Sequence, residues 1–257
     1  MGRTLVLIFG VVSYLAFFAT FLYLIGFMMG IVVPIDINTL IHDGKPRLDR
    51  IADSKSQAIM INIALMLIFV VQHTIMARGG FKDKLTTIIP RAAERSVFVL
   101  LASISLIVIM WQWRPIVAPL ADDLWKIEGG AGYYILQGVA LLGWGLVLLS
   151  SFLINHFSLF GLQQPYEYFK GREFKPPAFR MPLLYMFVRH PLMLGIIIAF
   201  WSTPHMSQGR LLFAIFMTGY ILVGIRFEEK DLAAHLGDDY IEYQKKVSMI
   251  IPMPPKS

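Results

Sequence analysis

TLVLIFGVVSYLAFFATFLYLIGFMMGIVVPI, residues 4–35, carries no charged side chain. A helix needs ~20 consecutive apolar residues to cross a bilayer, and this run exceeds that. The apolar region of a secretory signal is only about 7–15 residues and ends at a small-residue cleavage site. No clear site of that kind follows, so the run is expected to stay as a helix. The rest of the chain agrees. Of its 257 residues 56% are hydrophobic and 16% charged, with a mean hydropathy of +0.63; a soluble domain is roughly 25% charged. The composition predicts an integral membrane protein.

Working outward, six apolar segments can be drawn, at 4–33, 57–77, 96–118, 131–154, 191–204 and 210–226. The first four are long enough to span. As helices the last two rise only about 21 and 25 Å, short of ~30 Å of hydrocarbon. They therefore form a shallow hairpin or extend into their flanks. The expected fold is all-α, a polytopic membrane helical bundle of 5–6 transmembrane segments with a C-terminal hairpin and short cytoplasmic helices. Residues 1–257 read as one membrane domain, with no internal repeat, low-complexity tract or soluble linker.

Charge sets the expected orientation. Sixteen Lys and Arg residues fall in Arg3, the loops 78–95 and 155–190, and the tail from Arg226. Seven (Lys45, Arg47, Arg50, Lys55, Arg114, Lys126 and Arg210) fall on the other side. Positive charge marks the cytoplasmic face, so both termini are expected there, as an even number of crossings also requires. Loop 155–190 is rich in Tyr, Phe, Lys, Arg and Pro, which predicts an ordered segment on the membrane surface. The net charge of +6 does not indicate a nucleic-acid partner, because the basic residues lie in loops between apolar segments and form no stripe on a soluble face. The absence of cysteine excludes disulfides and thiolate metal sites.

The residues suited to chemistry gather near the C-terminus. Proline is favoured at the first helical position, so Arg189-His190-Pro191 puts Arg189 and His190 at the positive end of a helix, where an anion is stabilised. The Arg fork can grip a carboxylate bidentately. An interfacial Arg can also simply anchor a helix, and for three residues alone the two readings weigh equally. Glu228-Glu229 at a membrane boundary calls for a cation, from Arg226, Arg189 or a ligand amine, unless the pair forms a solvated face. Gly237 reads as a helix end and Asp238 or Asp239 as the next N-cap. Tyr240, Tyr243 and Val247 then share one face, as interface aromatics or as walls of a nucleoside pocket. Two further polar clusters, Gln72-His73-Thr74 to Arg78 and Asn155-His156 to Gln163-Gln164, follow the second and fourth segments. The six histidines contain no His-x-x-x-His or His-Glu-x-x-His pair, so no metal is expected. No Gly-x-Gly-x-x-Gly or phosphate loop is present either.

The order Arg-His-Pro, Glu-Glu, Gly-x-x-Tyr-x-x-Tyr over about residues 185–254 resembles the C-terminal module of the isoprenylcysteine carboxyl methyltransferase superfamily of membrane methyltransferases. That resemblance implies a cofactor-binding module for S-adenosyl-L-methionine on the cytosolic side. Arg189 and His190 would hold the methionine end, Glu228 or Glu229 the amino or ribose groups, and Tyr240 and Tyr243 the adenosine. Gln163 and Leu194 complete the implied cofactor set, although Leu192-Met193-Leu194-Gly195 stands where relatives often carry an aromatic residue. With the clusters at Gln72–Arg78 and Asn155–Gln164, most of the chain is similar to the bacterial methanethiol S-methyltransferases, within the broader denitrification-associated membrane proteins. The likeness implies methylation of a small hydrophobic thiol, methanethiol to dimethyl sulfide, at the cytoplasmic side of a bacterial inner membrane. A thiol with a pKa of at least ~8.5 gains from an imidazole base, for which His73, His156 and His190 are the candidates. An isoprenylcysteine-type carboxyl methyltransferase and an NADPH-dependent sterol-type reductase are alternatives on the same fold. A transporter or assembly factor predicts polar residues across the whole bilayer, whereas here they cluster at one face.

Overall fold

The computed structural model describes residues 2–29, 54–116, 123–176 and 180–253. The predicted segment ends at 30–33 and 117–118, His42, Lys45, Arg47, Arg50, Lys256 and module residue 254 lie outside the described residues. The helices, in order, are α1 Arg3–Met29, α2 Lys55–Ala77, α3 Gly79–Thr86, α4 Glu94–Gln112, α5 Gly130–Ile154, α6 His156–Leu159, α7 Gln163–Phe169, α8 Pro191–Trp201, α9 Gln208–Leu236 and α10 Asp238–Lys246. Five of them, α1, α2, α4, α5 and α9, are long and apolar enough to cross a membrane. The protein is an all-α polytopic membrane protein.

Polar residues survive within these helices because their hydroxyls have partners at hand. Ser13, Thr20, Ser103, Ser105 and Ser150 each donate to the carbonyl four residues earlier, at 2.6–2.9 Å. Lipid offers no alternative acceptor, so such local bonds decide which polar side chains a span can carry. Large apolar side chains face outward instead, with Leu142 and Tyr134 both 72% exposed.

The chain divides into two compact units. One comprises Met1–Trp125, Phe157–Pro176 and His205–Gly209. In it α4 packs against both α1 and α2, and Asn62 pairs both of its amide atoms with the main chain of Arg114 at 2.8 Å. The surface segment after residue 156 is tied down here, as its aromatic content predicts. Arg95 Nε donates to the Leu159 carbonyl at 2.8 Å, Ser96 Oγ donates to the Gly161 carbonyl at 2.6 Å, and Phe160 stacks on Phe17 at 3.8 Å.

The other unit comprises Lys126–His156, Pro177–Pro204 and Arg210–Ser257. Its axis is the antiparallel crossing of α5 and α8, where Gly143 and Gly195 meet. A Cβ on Gly195 would lie 2.6 Å from the Gly143 carbonyl oxygen and 2.9 Å from the Val147 nitrogen, and one on Gly143 would lie 2.8 Å from the Gly195 oxygen. Close backbone approach of this kind replaces the hydrophobic effect as the packing force between helices in lipid. Trp144, Phe200 and Phe213 extend the contact edge-to-face.

Three segment ends differ from expectation. The segment drawn at 96–118 is helical only to Gln112, with described residues 113–116 outside any helix, and the other two ends belong to the last hairpin. Helix α8 ends at Trp201 after 11 residues, about 16 Å of rise, and the chain turns at Ser202, where the Thr203 N–H donates to the Trp201 carbonyl at 3.1 Å. Strand His205–Ser207 then pairs with strand Asp123–Lys126, which precedes α5, and the Ile127 N–H donates to the Pro204 carbonyl at 2.9 Å. Helix α9 runs through the charged Glu228-Glu229-Lys230-Asp231 to Leu236, ten residues past the apolar boundary at 226. Hydropathy ends there, but Glu, Lys, Leu and Ala all favour helix.

Candidate functional site

The site is built at the start of α8. Val188 forms a parallel bridge to Ser248, the Arg189 N–H donates to the Ser248 carbonyl at 2.8 Å, and the His190 N–H donates to the Met249 carbonyl at 3.2 Å. Pro191 takes the first helical position, with His190 before it, as its missing N–H favours.

The anion held by the Arg189 fork is the protein's own Glu229. Nε and one terminal nitrogen of Arg189 donate to the two carboxylate oxygens at 2.6 and 3.1 Å. His190 Nε2 lies 2.9 Å from Oε1, and Gln244 Nε2 donates to Oε2 at 3.1 Å. Four donors on one buried carboxylate meet the requirement that a buried charge be both paired and hydrogen-bonded. The other terminal nitrogen of Arg189 donates to the carbonyls of Gln244 and Val247, so four of the five N–H groups are used within the protein. Of the two carboxylates in sequence, Glu229 faces inward, whereas Glu228 is half exposed, with Oε2 3.8 Å from His190 Nδ1.

The tyrosines lie behind this cluster. Tyr240, Tyr243 and Val247 form a buried group with Leu232, Ala233 and Leu236, so the shared face read from their spacing is an internal one. Tyr243 donates to the Tyr185 carbonyl at 2.6 Å, and Tyr185 to the Ser150 carbonyl at 3.4 Å. Burial pushes the Tyr243 phenol up to about 12 and also raises Tyr185 and Tyr240. All three remain neutral at physiological pH. Gly237, at φ +65°, turns the chain between α9 and α10. It is Gly237 that precedes α10, and Asp238 and Asp239 lie in its first turn, where their charge suits the helix dipole; neither is the N-cap expected from the sequence.

The structure thus brings together Arg189, His190, Glu228, Glu229, Tyr240 and Tyr243, with Leu194 half-buried on the first turn of α8. His156 belongs to the same unit, just past α5. It is buried, its ring stacks on Phe152 at 4.2 Å, and Nδ1 is 2.8 Å from Ser151 Oγ. Ser151 Oγ already donates to the Leu148 carbonyl at 2.7 Å, so Nδ1 carries the hydrogen and donates to Ser151. Burial lowers the pKa of His156. His73, between Phe69 and Phe98, and Gln163, opening α7, belong to the other unit. Sequence reasoning did not single out Gln244 or Tyr185. Gln244 had one usable signal, its spacing of four from Tyr240; nothing in the sequence marks Tyr185.

Fold and site define a polytopic α-helical membrane protein with a buried Arg–Glu ion pair and a histidine at one end of its last helical hairpin. Residues 61–232 match the family described as NnrU protein, and the chain belongs to that family. It is 46% identical to a "Methanethiol S-methyltransferase" of Mycobacterium tuberculosis over 99% of this chain and 98% of that protein. It is also 46% identical to "Methanethiol S-methyltransferase 1" of Bradyrhizobium diazoefficiens, over 95% of this chain and 81% of that protein. A more distant relative is "Nurim" of Xenopus laevis, 30% identical over 67% of this chain and 62% of that protein. No solved structure matches the chain.

The side chains suit a ligand that carries both a cation and an anion. Glu228 offers a half-exposed carboxylate to cationic groups, and Arg189 keeps one N–H beyond its four internal bonds. Among the described residues no group of three His, Asp or Glu side chains is arranged to hold a metal ion.

Proposed function

We propose that the protein transfers the methyl group of S-adenosylmethionine to methanethiol, giving dimethyl sulfide. The observation that carries this reading is near-full-length similarity to proteins named methanethiol S-methyltransferase. The ionic cluster at Arg189, His190, Glu228 and Glu229 supports it. When bound, the cofactor supplies an electrophilic methyl carbon on a sulfonium centre. Glu228 is suited to its cationic amine, the remaining N–H of Arg189 to its carboxylate, and Leu194 to an apolar contact. Glu229 orients His190 and is held by Arg189, while Tyr240 and Tyr243 support the cluster from behind. His73, His156 and His190 are the proposed bases, each able to assist a thiol that is mostly protonated at neutral pH. We assign the site and both termini to the cytoplasmic face of a bacterial inner membrane, on the bias of Lys and Arg toward that side.

The test is direct. Purified protein given S-adenosylmethionine and methanethiol should release dimethyl sulfide, measured by headspace gas chromatography, and calorimetry should register cofactor binding. Tight binding of a nicotinamide cofactor without methyl transfer overturns the reading. Methylation of a prenylcysteine analogue with no dimethyl sulfide overturns the acceptor alone.

A further inference from the structure

We infer that His190 accepts the thiol proton on Nδ1, its tautomer fixed by Glu229, and that Arg189, besides its cofactor contact, holds Glu229 in place for this. This rests on the methyl-transfer reading above. A carboxylate oxygen can only accept, so the 2.9 Å contact to Glu229 Oε1 requires His190 Nε2 to donate. In the neutral ring the lone pair then lies on Nδ1. Nδ1 faces Glu228, whose Oε2 at 3.8 Å is too far for a hydrogen bond. His190 differs here from the other two candidates. The Nδ1 of His156 donates to Ser151, and His73 packs between Phe69 and Phe98.

The charges around His190 come from each element against it: Glu228 and Glu229 on α9 and Arg189 beside it. Tyr240 on α10 and Tyr185 in the turn before α8 remain neutral phenols. The N-terminus of α8 opposes a cation with about half a charge, against which stand two full carboxylate charges, one shared with Arg189. Arg189 holds both oxygens of Glu229, so the carboxylate stays ionised and aimed at Nε2. Proton transfer breaks the S–H bond, leaves its electron pair on sulfur and forms N–H at Nδ1. The thiolate then forms the new S–CH3 bond while the bond from the methyl carbon to the sulfonium sulfur breaks, its pair going to that sulfur. The imidazolium returns the proton to water past half-exposed Glu228. One proton is released per methyl group transferred, and charge balances.

Nitrogen-15 NMR of histidine-labelled, cofactor-free protein reads the tautomer, with the His190 signal assigned by its loss in His190→Asn. The Nε2–H form is expected, and Nδ1–H overturns the inference. Glu229→Gln should lower the titration midpoint of His190; an unchanged midpoint refutes the role of Glu229. The kinetic arm compares methanethiol with trifluoroethanethiol, a small thiol far more acidic. His190→Asn should slow methanethiol turnover at neutral pH by ~10²-fold or more, recover as pH rises, and affect the acidic thiol much less. An equal loss for both thiols means His190 only holds the cofactor and overturns the inference. Should that variant fail to fold, the wild type decides. Its methanethiol rate should follow an ionisation of the protein while the rate with the acidic thiol stays flat. Rates that track each thiol's own ionisation exclude an enzyme base. No transfer to either thiol by the wild type sinks the proposed function itself, and this inference with it.

Discussion

Replacing Gly195 by alanine should damage the protein out of proportion to one methyl group. The added Cβ would meet the Gly143 carbonyl oxygen at 2.6 Å and the Val147 nitrogen at 2.9 Å, both backbone atoms that cannot rotate away. Restoring an ordinary contact of 3.4 Å means moving α8 off α5 by about 0.8 Å. Overpacking of this kind costs about 1–3 kcal/mol, sometimes more. Gly138 and Gly145, on the same helix α5, meet nothing within 4 Å of a built Cβ. There alanine should help, by up to about 1 kcal/mol of helix propensity. The two classes should therefore differ by roughly 1–4 kcal/mol, or roughly 2–16 °C at about 2–4 °C per kcal/mol. Thermal unfolding in detergent, followed by tryptophan fluorescence, measures it. Because α8 starts directly after His190, Gly195→Ala should also weaken binding of the proposed cofactor. If Gly195→Ala melts with or above Gly145→Ala, the close crossing is wrong.

Arg189→Lys keeps the charge but cannot hold both oxygens of Glu229 and two carbonyls together. With charge-assisted bonds worth about 1.5–3 kcal/mol each, hydrogen exchange across residues 244–249 should quicken by about 10-fold or more; unchanged exchange refutes the tie. For His156, the folded pKa is lowered, so the neutral ring belongs to the native state and the unfolded chain takes up a proton first. Stability should fall as pH drops below about 6.5 and level off once the folded-state pKa is passed. His156→Gln should flatten that limb in melting curves taken from pH 7.5 down, and an equally steep fall in the variant would contradict the assignment.

The spans were legible because lipid imposes a length and a composition on them. Segments 57–77 and 131–154 correspond closely to α2 Lys55–Ala77 and α5 Gly130–Ile154. The last hairpin was harder. Hydropathy locates the edge of the hydrocarbon, whereas α9 continues past it on the helix preference of Glu, Lys and Ala. At the site, the need of Glu228-Glu229 for a cation was legible, and Arg189 was among the named partners. The choice of Glu229 as the inward carboxylate was not, since adjacent residues point about 100° apart on a helix and only packing selects one. The carbonyls of Gln244, Val247, Ser248 and Met249 that hold Arg189 and His190 are main-chain groups, which every residue possesses and no sequence pattern announces.

The bonds from the Arg189 side chain to the carbonyls of Gln244 and Val247 also put the site on a clock. Arg189 is translated 40 residues before Glu229 and 58 before Val247. At ~5–20 residues per second, its carboxylate arrives about 2–8 s later and its final carbonyl about 3–12 s later. Helix α8 thus enters the bilayer with a guanidinium at its mouth that only water and lipid headgroups can satisfy. A chain that stops before residue 244 still makes every long apolar helix, yet never completes the partners of Arg189. Insertion of the long apolar helices and acquisition of the site are separate events, and the second waits until residue 247 has been made.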